Sequence, residues 1–329
     1  MSAPHAAWPR ITIVTPSYNQ GCFLEQTIRS VLDQQYPNLE YMIVDGGSTD
    51  ESVDIIKRYA SALTWWVSAQ DAGQSDAINK GFRRSSGALA AWLNADDYYL
   101  PGALHAAADA YRRQPGASFY FGNGLRVDRA GKPQGAFFAE GQVRFHRPAL
   151  VWGLNTILQP AAFIQRDCLA RVGYLDETLH YGMDSDLWLK LSALAPPEII
   201  QQTLAASREY GEAKTSTGSF GRIEELRQIA AKYSGCAQTP GSLLYWADTM
   251  RRLALDRPDV YPSSFIADLD QFWAALSRLL LRFGAAGDGF PLAEPGPAVA
   301  PPPTGHLHRG INRLRRRVKR LVWPWHGRG

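Results

Sequence analysis

The chain has 329 residues, of which 45% are hydrophobic and 20% are charged, and its formal net charge is +4 at pH 7. This size and apolar content exclude a wholly disordered chain and allow one large α/β domain with a smaller appendage. The three cysteines are widely spaced and indicate neither a disulfide framework nor a zinc site, so a reducing, cytoplasmic setting is expected. No stretch reaches the roughly 18 apolar residues that span a bilayer, so we expect a soluble or membrane-surface protein.

The first hundred residues alternate short apolar runs with amphipathic stretches. Apolar runs predict strands at 11–15, 41–45, 64–68 and 88–93. Residues 23–33 have helical spacing, and 48–51 matches a capping box that would start a second helix. This alternation predicts a mostly parallel sheet with helices on both faces, which binds ligands beyond the carboxyl ends of its strands.

The rest of the chain is predicted to change character towards its C-terminus. Strands are expected at 157–165 and 198–204, a helix at 184–194, and helices from 220 to 283. The predicted organisation is an α/β domain at 1–215, a helical region at 216–285, a Pro- and Gly-rich linker at 286–308 and a basic tail at 309–329.

Polar side chains gather where each of the first four strands ends. The four segments are 15–19, 45–48, 71–74 and 94–97. Because the carboxyl ends of parallel strands meet at one rim, these carboxylates and amides are expected to share one site.

Four motifs follow one another in this chain. They are ITIVTPSYNQGCFLEQTIRSVLDQQYPNLEYMIVDGGSTD, DAGQSDAINKG, WLNADDYYLPGAL and QPAAFIQRDCLARVGYLDETLHYGMDSDLWLKL. Together they cover much of residues 10–215 and resemble family 2 glycosyltransferases of the GT-A fold, of the bacterial surface-polysaccharide type that makes colanic acid and O-antigen. The resemblance implies inverting transfer of a sugar from a nucleoside diphosphate, UDP or dTDP rather than GDP, to a saccharide or lipid-linked saccharide.

A divalent cation, Mg²⁺ or Mn²⁺, is expected at Asp96. Hard cations take oxygen ligands, often one or two carboxylates together with substrate phosphates and water. The family's Asp-x-Asp motif has Asn94 in its first position here, which adds no charge. Asp97 is expected to hold the donor sugar or to brace the loop. The alternative for 94–97 is a turn that caps a helix before Pro101.

The resemblance also implies a set of nucleotide-sugar contacts. They are Pro16, Tyr18, Asn19, Asp45, Asp71, Asp76, Asn94, Ala95 and Asp97. Relatives often carry a second Asp where this chain has Gly46. The alternatives are a strand-ending turn role for Asp45 and a helix-face or capping role for Asp76.

Asp184 falls on the position of the family's catalytic base, with helix capping as the alternative. Met183 stands in place of the preceding Glu of the family motif, and Asp186 is expected to cap or bond the helix. Relatives often have a metal- or phosphate-binding His where this chain has Tyr210. Arg208 and Lys214 are candidates for balancing diphosphate charge.

The basic tail carries the positive excess of the chain. Eight of the 35 Lys and Arg residues lie at 305–329, which holds no Asp or Glu. Apolar residues on one helical face, followed by Trp323 and Trp325, predict that 309–325 binds an anionic membrane surface at the inner face of the cell membrane. A solvated or nucleic-acid-binding tail is the alternative, and no nucleic-acid partner is expected.

Three other functions predict different residues from those of an enzyme of this family. A non-catalytic nucleotide-sugar-binding protein on the same fold would be favoured by loss of Asp96 or Asp184, and both are present. A nucleotidyltransferase would show a basic residue after a Gly-rich loop near the N-terminus. A dinucleotide oxidoreductase needs G-x-G-x-x-G after the first strand. The sequence shows neither pattern.

Overall fold

The structure, a computed structural model, describes residues 8–138, 143–214 and 219–285. Within these ranges nine strands form one sheet. The strands are β1 (Ile11–Ser17), β2 (Leu39–Asp45), β3 (Trp65–Ser68), β4 (Leu89–Trp92), β5 (Tyr98–Tyr99), β6 (Phe119–Val127), β7 (Pro133–Ala136), β8 (Ala162–Gln165) and β9 (Glu198–Arg208). The helices are α1 (Gly21–Leu32), α2 (Ser52–Tyr59), α3 (Gln74–Arg84), α4 (Ala103–Arg113), α5 (Arg147–Val151), α6 (Arg166–Arg171), α7 (Met183–Leu194), α8 (Ser219–Ser234), α9 (Pro240–Asp256) and α10 (Ser263–Ala285).

The four predicted N-terminal strands form the parallel half of the sheet, in the order β3-β2-β1-β4. Their register places Ser17 opposite Asp45 and Asp45 opposite Ser68. The carboxyl ends of three strands are therefore level with one another. This alignment confirms the predicted α/β fold class and brings the segments that follow these strands to one rim.

The other half of the sheet is mixed, in the order β4-β8-β6-β9-β5. The strand predicted at 157–165 is shorter than expected, because a 3-10 turn occupies Gln159–Ala161 and only Ala162–Gln165 pairs with neighbours. Proline lacks a backbone N–H and favours such a turn over a ladder position, which explains the late start after Pro160. Strand β9 is longer than predicted and continues to Arg208, which carries its end to the same rim.

Strand β1 is buried along its whole length because both faces of the sheet are covered. Ile11 and Ile13 pack on the side of α1, α2 and α4. Val14 packs on the other side with Trp92 and Trp188, whose rings are stacked at 5.8 Å. A strand buried on both faces has no solvent side, so its polar residues Thr12, Thr15 and Ser17 are buried as well.

The capping box predicted at 48–51 is wrong. Helix α2 begins at Ser52 without a side-chain cap, and the Ser48 hydroxyl donates instead to Asp45 Oδ1 at 2.5 Å. Because the Ser48 side chain is hydrogen-bonded to Asp45, it does not cap α2.

The predicted helical region forms the three helices α8, α9 and α10, and α8 is held against the segment that leads into α7. Glu225 of α8 accepts hydrogen bonds from the backbone N–H groups of His180, Tyr181 and Gly182, at 2.8, 2.6 and 2.6 Å. A Cβ on Gly182 would lie 2.5 Å from Cδ1 of Ile229, so a side chain at position 182 would require the Ile229 side chain to move. The helical region thus packs directly on the α/β domain, and the predicted boundary at 215 stays a prediction.

A second contact between α7 and α8 centres on Asp186, whose side chain is 1% exposed. Its carboxylate forms ion pairs with Lys190 at 2.6 Å and Lys232 at 3.0 Å and accepts a hydrogen bond from Tyr233 at 2.7 Å. Burial alone would raise the pKa of Asp186, but these three partners outweigh burial and lower the pKa. The ionised carboxylate therefore joins the two helices.

No helix in the described ranges has the length and apolar character needed to cross a membrane. The predicted linker at 286–308 and the predicted membrane-binding segment at 309–325 lie outside the described residues.

We expect Asp186→Asn to lower the free energy of unfolding by about 2 kcal/mol, because the ionic hydrogen bonds to α8 are weakened in a buried setting. Urea denaturation followed by tryptophan fluorescence measures the change. The matched control is Asp54→Asn, which removes an ion pair whose Lys57 and Asp54 side chains are 60% and 78% exposed. It should cost about 0.5 kcal/mol or less.

The pH dependence of this effect has a definite sign. Because the folded pKa of Asp186 is lowered, its stabilisation is present above the unfolded carboxyl pKa of about 4 and is lost as the pH falls through the folded value. The difference between the parent and Asp186→Asn should shrink at acidic pH. A difference that grows below pH 4 would contradict this role.

Candidate functional site

A cavity of about 770 Å³ opens at the rim where the strands end, a size suited to a small-molecule ligand. Its walls come from the ends of β1 to β4, from the segment before α7, from the end of β9 and from α8 and α9. Of the residues predicted from the sequence, those that line it are Pro16, Tyr18, Asp71, Asn94, Ala95, Asp96, Asp97 and Asp184. The structure thus brings eight of the eleven predicted site residues to one cavity.

One end of the cavity is formed by the segments after β1, β2 and β3. Tyr18 is 63% exposed there, which leaves its ring available to a planar ligand. Asp71 accepts a hydrogen bond from the N–H of Gly73 at 2.8 Å. A Cβ on Gly46 would lie 2.8 Å from Asp71 Oδ2, so Asp71 occupies the space into which a side chain at position 46 would project.

Three predicted contacts, Asn19, Asp45 and Asp76, are not among the lining residues in the part of the chain that the structure describes. Asn19 Oδ1 accepts from the N–H of Thr49 at 2.8 Å. Asp76 accepts from the N–H of Ala72 at 2.9 Å and pairs with Lys80 on α3. These bonds give Asn19 and Asp76 roles in the loops behind the cavity wall.

Asp45 is fully buried, and its carboxylate is used by the fold itself. It accepts hydrogen bonds from the N–H groups of Gly47 and Ser48 at 3.1 and 2.9 Å, and from the hydroxyls of Ser48 and Ser68 at 2.5 and 2.7 Å. This is the geometry of the strand-ending turn that the sequence left open. Asp45 shapes the loop that presents Gly46, and direct contact with a ligand stays a prediction.

The segment 94–97 forms the floor of the cavity. Asn94 accepts from Gln74 Nε2 at 2.8 Å and donates to Gln159 Oε1 at 3.1 Å. The Thr27 hydroxyl lies 2.7 Å from the backbone oxygens of both Ala95 and Asp97 and donates its one proton to one of them. These contacts hold the floor from α3, from α1 and from the 3-10 turn before β8.

Asp97 lies within this floor and is almost fully buried. Its Oδ1 accepts from the N–H of Arg208 at 2.9 Å, and its Oδ2 accepts from Asn94 at 3.2 Å. Burial, followed by the neighbouring charge of Asp96, raises the pKa of Asp97 well above its usual range. Of the two roles expected for Asp97, these contacts support bracing of the loop.

Asp96 is half-buried and faces the cavity. Its Oδ2 accepts a hydrogen bond from the Tyr210 hydroxyl at 2.9 Å. Burial raises the pKa of Asp96, while Tyr210 and Arg208 favour the ionised form. Tyr210 therefore touches the predicted cation ligand directly, at the position where relatives often carry His.

A cation that arrives with a phosphate-bearing ligand fits this site better than a resident metal. Among the described residues no group of three or more His, Cys, Asp or Glu side chains is placed to hold a metal ion. Mg²⁺ is commonly held by one or two carboxylates plus phosphate oxygens and water. The single carboxylate of Asp96 at the cavity floor matches that pattern.

Arg208 is committed to the fold rather than to a ligand. Its guanidinium donates to the backbone oxygens of Asp96 and Arg129 and to Gln26 Oε1. Lys214 donates to Gln74 Oε1 at 2.9 Å and lines the cavity beside Asn94. Of the two cations proposed to balance diphosphate charge, Lys214 is the one whose surroundings suit that role.

Asp184 stands in the first turn of α7, half-buried in the cavity wall. Its Oδ1 accepts from the N–H of Ser185 at 2.7 Å, and its Oδ2 accepts from Asn155 Nδ2 at 3.2 Å. Burial raises the pKa of Asp184, and the bonds from Ser185 and the charge of Arg222 act in the opposite direction. A carboxylate held in place with a raised pKa is suited to accept a proton at neutral pH.

Several lining residues were not named as site residues by the sequence analysis. They are Gln70, Gln74, Gln159, His180, Tyr181, Arg222 and Arg252. Gln74 lies in a segment that was expected at the rim, and Gln159, His180 and Tyr181 stand in a quoted motif, so their position was a usable signal. Arg222 and Arg252 come from α8 and α9, and no sequence motif indicates that these helices line the cavity.

The chain is similar to known glycosyltransferases. Residues 12–151 match the protein family described as Glycosyl transferase family 2. An uncharacterised glycosyltransferase of Rickettsia typhi is 25% identical over 234 residues, which cover 69% of this chain and 71% of the relative.

Two solved structures share the fold. The structure of S. aureus TarS 1–349 in complex with UDP-GlcNAc has a TM-score of 0.56 at 17% identity, over 77% of this chain and 74% of the TarS 1–349 chain. The mannosyltransferase PcManGT from Pyrobaculum calidifontis, in complex with GDP-Man and Mn²⁺, has a TM-score of 0.54 at 20% identity, over 97% of this chain and 88% of that protein. At these identities the likeness concerns the fold alone.

Proposed function

Because the chain belongs to glycosyltransferase family 2, we propose that it transfers a sugar from a nucleoside diphosphate-sugar to a hydroxyl of a saccharide or lipid-linked saccharide, with inversion. The observation that carries the proposal is that one cavity contains both Asp96 and Asp184. One carboxylate can serve the diphosphate through a cation, and the other can serve the acceptor hydroxyl. We extend the proposal to surface polysaccharide synthesis, which the four sequence motifs support.

The donor is proposed to lie along the rim of the parallel strands. Pro16, Tyr18 and Asp71 then border the base and ribose, and Asn94 and Asp96 border the diphosphate and sugar. We propose UDP or dTDP as the nucleotide. The sequence motifs support this choice; the structure of TarS contains UDP-GlcNAc, and that of PcManGT contains GDP-Man.

Asp184 is proposed to accept the proton of the acceptor hydroxyl. As the hydroxyl oxygen attacks, its bond to the anomeric carbon forms while the bond from that carbon to the diphosphate oxygen breaks on the opposite face. The proton passes to Asp184, whose carboxylate is held by Asn155 and Ser185. Mg²⁺ or Mn²⁺ at Asp96 would supply positive charge to the departing diphosphate.

The alternative is a nucleotide-sugar-binding protein without catalysis. It would bind a donor in the same cavity but would need no proton acceptor opposite the floor. The half-buried position and raised pKa of Asp184 are those of a base, and they favour the enzyme.

We also propose that 309–325 holds the protein at an anionic membrane surface on the cytoplasmic side, where lipid-linked acceptors are available. The support is the basic and aromatic sequence of this segment, since it lies outside the described residues.

We expect Asp184→Asn to lower the turnover of donor by about 10²–10⁴-fold, because general base catalysis contributes about that much. Donor affinity should stay close to that of the parent, since Asp184 faces the acceptor. Because the pKa of Asp184 is raised, activity of the parent should be lost on the acid side at a pH above the ordinary carboxyl range. Asp167→Asn, whose side chain is 77% exposed on α6, is the control and should keep parental turnover.

Two results would contradict the role of Asp184 and the stereochemistry. One is an Asp184→Asn enzyme that turns over at the parental rate. The other is a product that NMR shows to keep the anomeric configuration of the donor.

Activity should require Mg²⁺ or Mn²⁺, because Asp96 is the carboxylate on the cavity floor that can meet a phosphate-bound cation. Hydrolysis of UDP-, dTDP- and GDP-sugars, followed with and without excess chelator, measures this requirement and the nucleotide preference. Asp96→Ala should weaken donor binding in calorimetry when metal is present, and much less in chelator. Full turnover in chelator would rule out the metal.

Removing residues 306–329 should release the enzyme from vesicles rich in phosphatidylglycerol and leave donor hydrolysis intact. Each basic residue near an anionic surface contributes about 1 kcal/mol of binding, and neutral phosphatidylcholine vesicles are the control. Vesicle sedimentation is the measurement. Equal sedimentation of the full and truncated chains would refute a membrane role for this segment.

A further inference from the structure

The helical region supplies two arginines to the same cavity as Asp184. Arg222 comes from α8 and Arg252 from α9, and both line the cavity. Arg222 lies close enough to Asp184 for its charge to act on the pKa of that carboxyl, which it lowers. The Arg222 guanidinium also packs over the ring of Tyr245.

Arg222 is half-buried, and its guanidinium contacts an aromatic ring of the protein. Its guanidinium lies 5.2 Å from the centre of the Tyr245 ring. The charge of Arg222 lowers the pKa of Asp184, but no ion pair within 4.0 Å joins Arg222 to a carboxylate in the described part of the chain. A guanidinium has five N–H donors, so this side chain retains donors that face the cavity.

Other arginines of the same two helices differ in this respect. Arg227 on α8 pairs with Glu224 at 2.6 Å, and Arg251 on α9 pairs with Asp270 at 2.5 Å. Arg252 pairs with Asp248 through one nitrogen at 2.9 Å and still reaches the cavity. Arg227 and Arg251, which do not line the cavity, therefore have carboxylate partners. Arg222 and Arg252 keep guanidinium donors at the cavity.

We infer, resting on the proposed function, that the acceptor is anionic and that Arg222 and Arg252 bind its phosphate or carboxylate group next to the hydroxyl that Asp184 deprotonates. Arginine binds both oxyanions through paired N–H groups, and such charge-assisted hydrogen bonds are strong in a partly buried setting. A neutral saccharide would leave these donors without an acceptor. An anionic acceptor would otherwise be repelled by Asp184, and the two arginines offset that repulsion.

The anion has two possible sources, the diphosphate of a lipid-linked saccharide or the carboxylate of an acidic sugar. Two matched pairs of probes separate them. One pair is glucosyl-diphosphoryl-farnesol and farnesyl β-D-glucoside, and the other is methyl β-D-glucuronide and methyl β-D-glucoside. Binding of each probe to the full chain is measured by calorimetry in the presence of UDP and Mg²⁺.

In the parent, the anionic member of at least one pair should bind about tenfold more tightly than its neutral partner, or more. Arg222→Gln and Arg252→Gln should each reduce that preference to about threefold or less. Arg251→Gln is the matched control, because Arg251 lies on α9 next to Arg252 but does not line the cavity. It should keep the parental preference. Hydrolysis of the donor by Arg251→Gln should stay within about threefold of the parent.

The outcomes separate this inference from the proposed function. A parent that hydrolyses no nucleotide-sugar refutes the proposed function. A parent that hydrolyses a donor but prefers no anionic probe overturns the inference alone. Loss of donor hydrolysis in Arg222→Gln with an unchanged anion preference also overturns it, because Arg222 would then serve the donor diphosphate.

Discussion

The hydrogen bonds from three consecutive backbone N–H groups to Glu225 are the contact on which the site depends. They hold the segment 180–182 against α8 immediately before α7 begins. Because Asp184 lies in the first turn of that helix, its position follows from this contact. One turn further on, the ion pairs of Asp186 hold α7 and α8 together. The half-buried Arg222 lines the cavity from α8, the helix that these contacts hold in place.

The carboxylates around the cavity differ in whether they are used by the fold or are accessible from the cavity. Asp45 and Asp97 are buried and fully engaged by backbone and side-chain donors, so they build the rim and the floor. Asp96 and Asp184 are half-buried and retain access to the cavity. Rigid support beneath exposed reactive groups is what precise positioning of two substrates requires. Burial and the charge of Asp96 raise the pKa of Asp97, which favours less negative charge next to Asp96, where an anionic donor is proposed to bind.

The charges of the cavity suit a reaction between two anions. The negative charges of a diphosphate donor and of Asp96 need nearby positive charge, which a cation can supply together with Lys214. Arg222 and Arg252, which we propose bind an anionic acceptor, come from helices beyond the part of the chain that matches the family. Under the proposed function, the α/β domain binds the donor and the helical region helps to select the acceptor.

The sequence by itself determined the parallel half of the sheet and the candidate carboxylates, because strand periodicity and motif order are local properties of the chain. It could not decide whether Asp45 faces a ligand or the fold, since that depends on Ser68 from a neighbouring strand. It also missed Arg222 and Arg252, because no local pattern records which face of α8 or α9 meets a cavity. Only tertiary packing, through the hydrogen bonds of Glu225 and Asp186, decided that α8 and α9 complete the site.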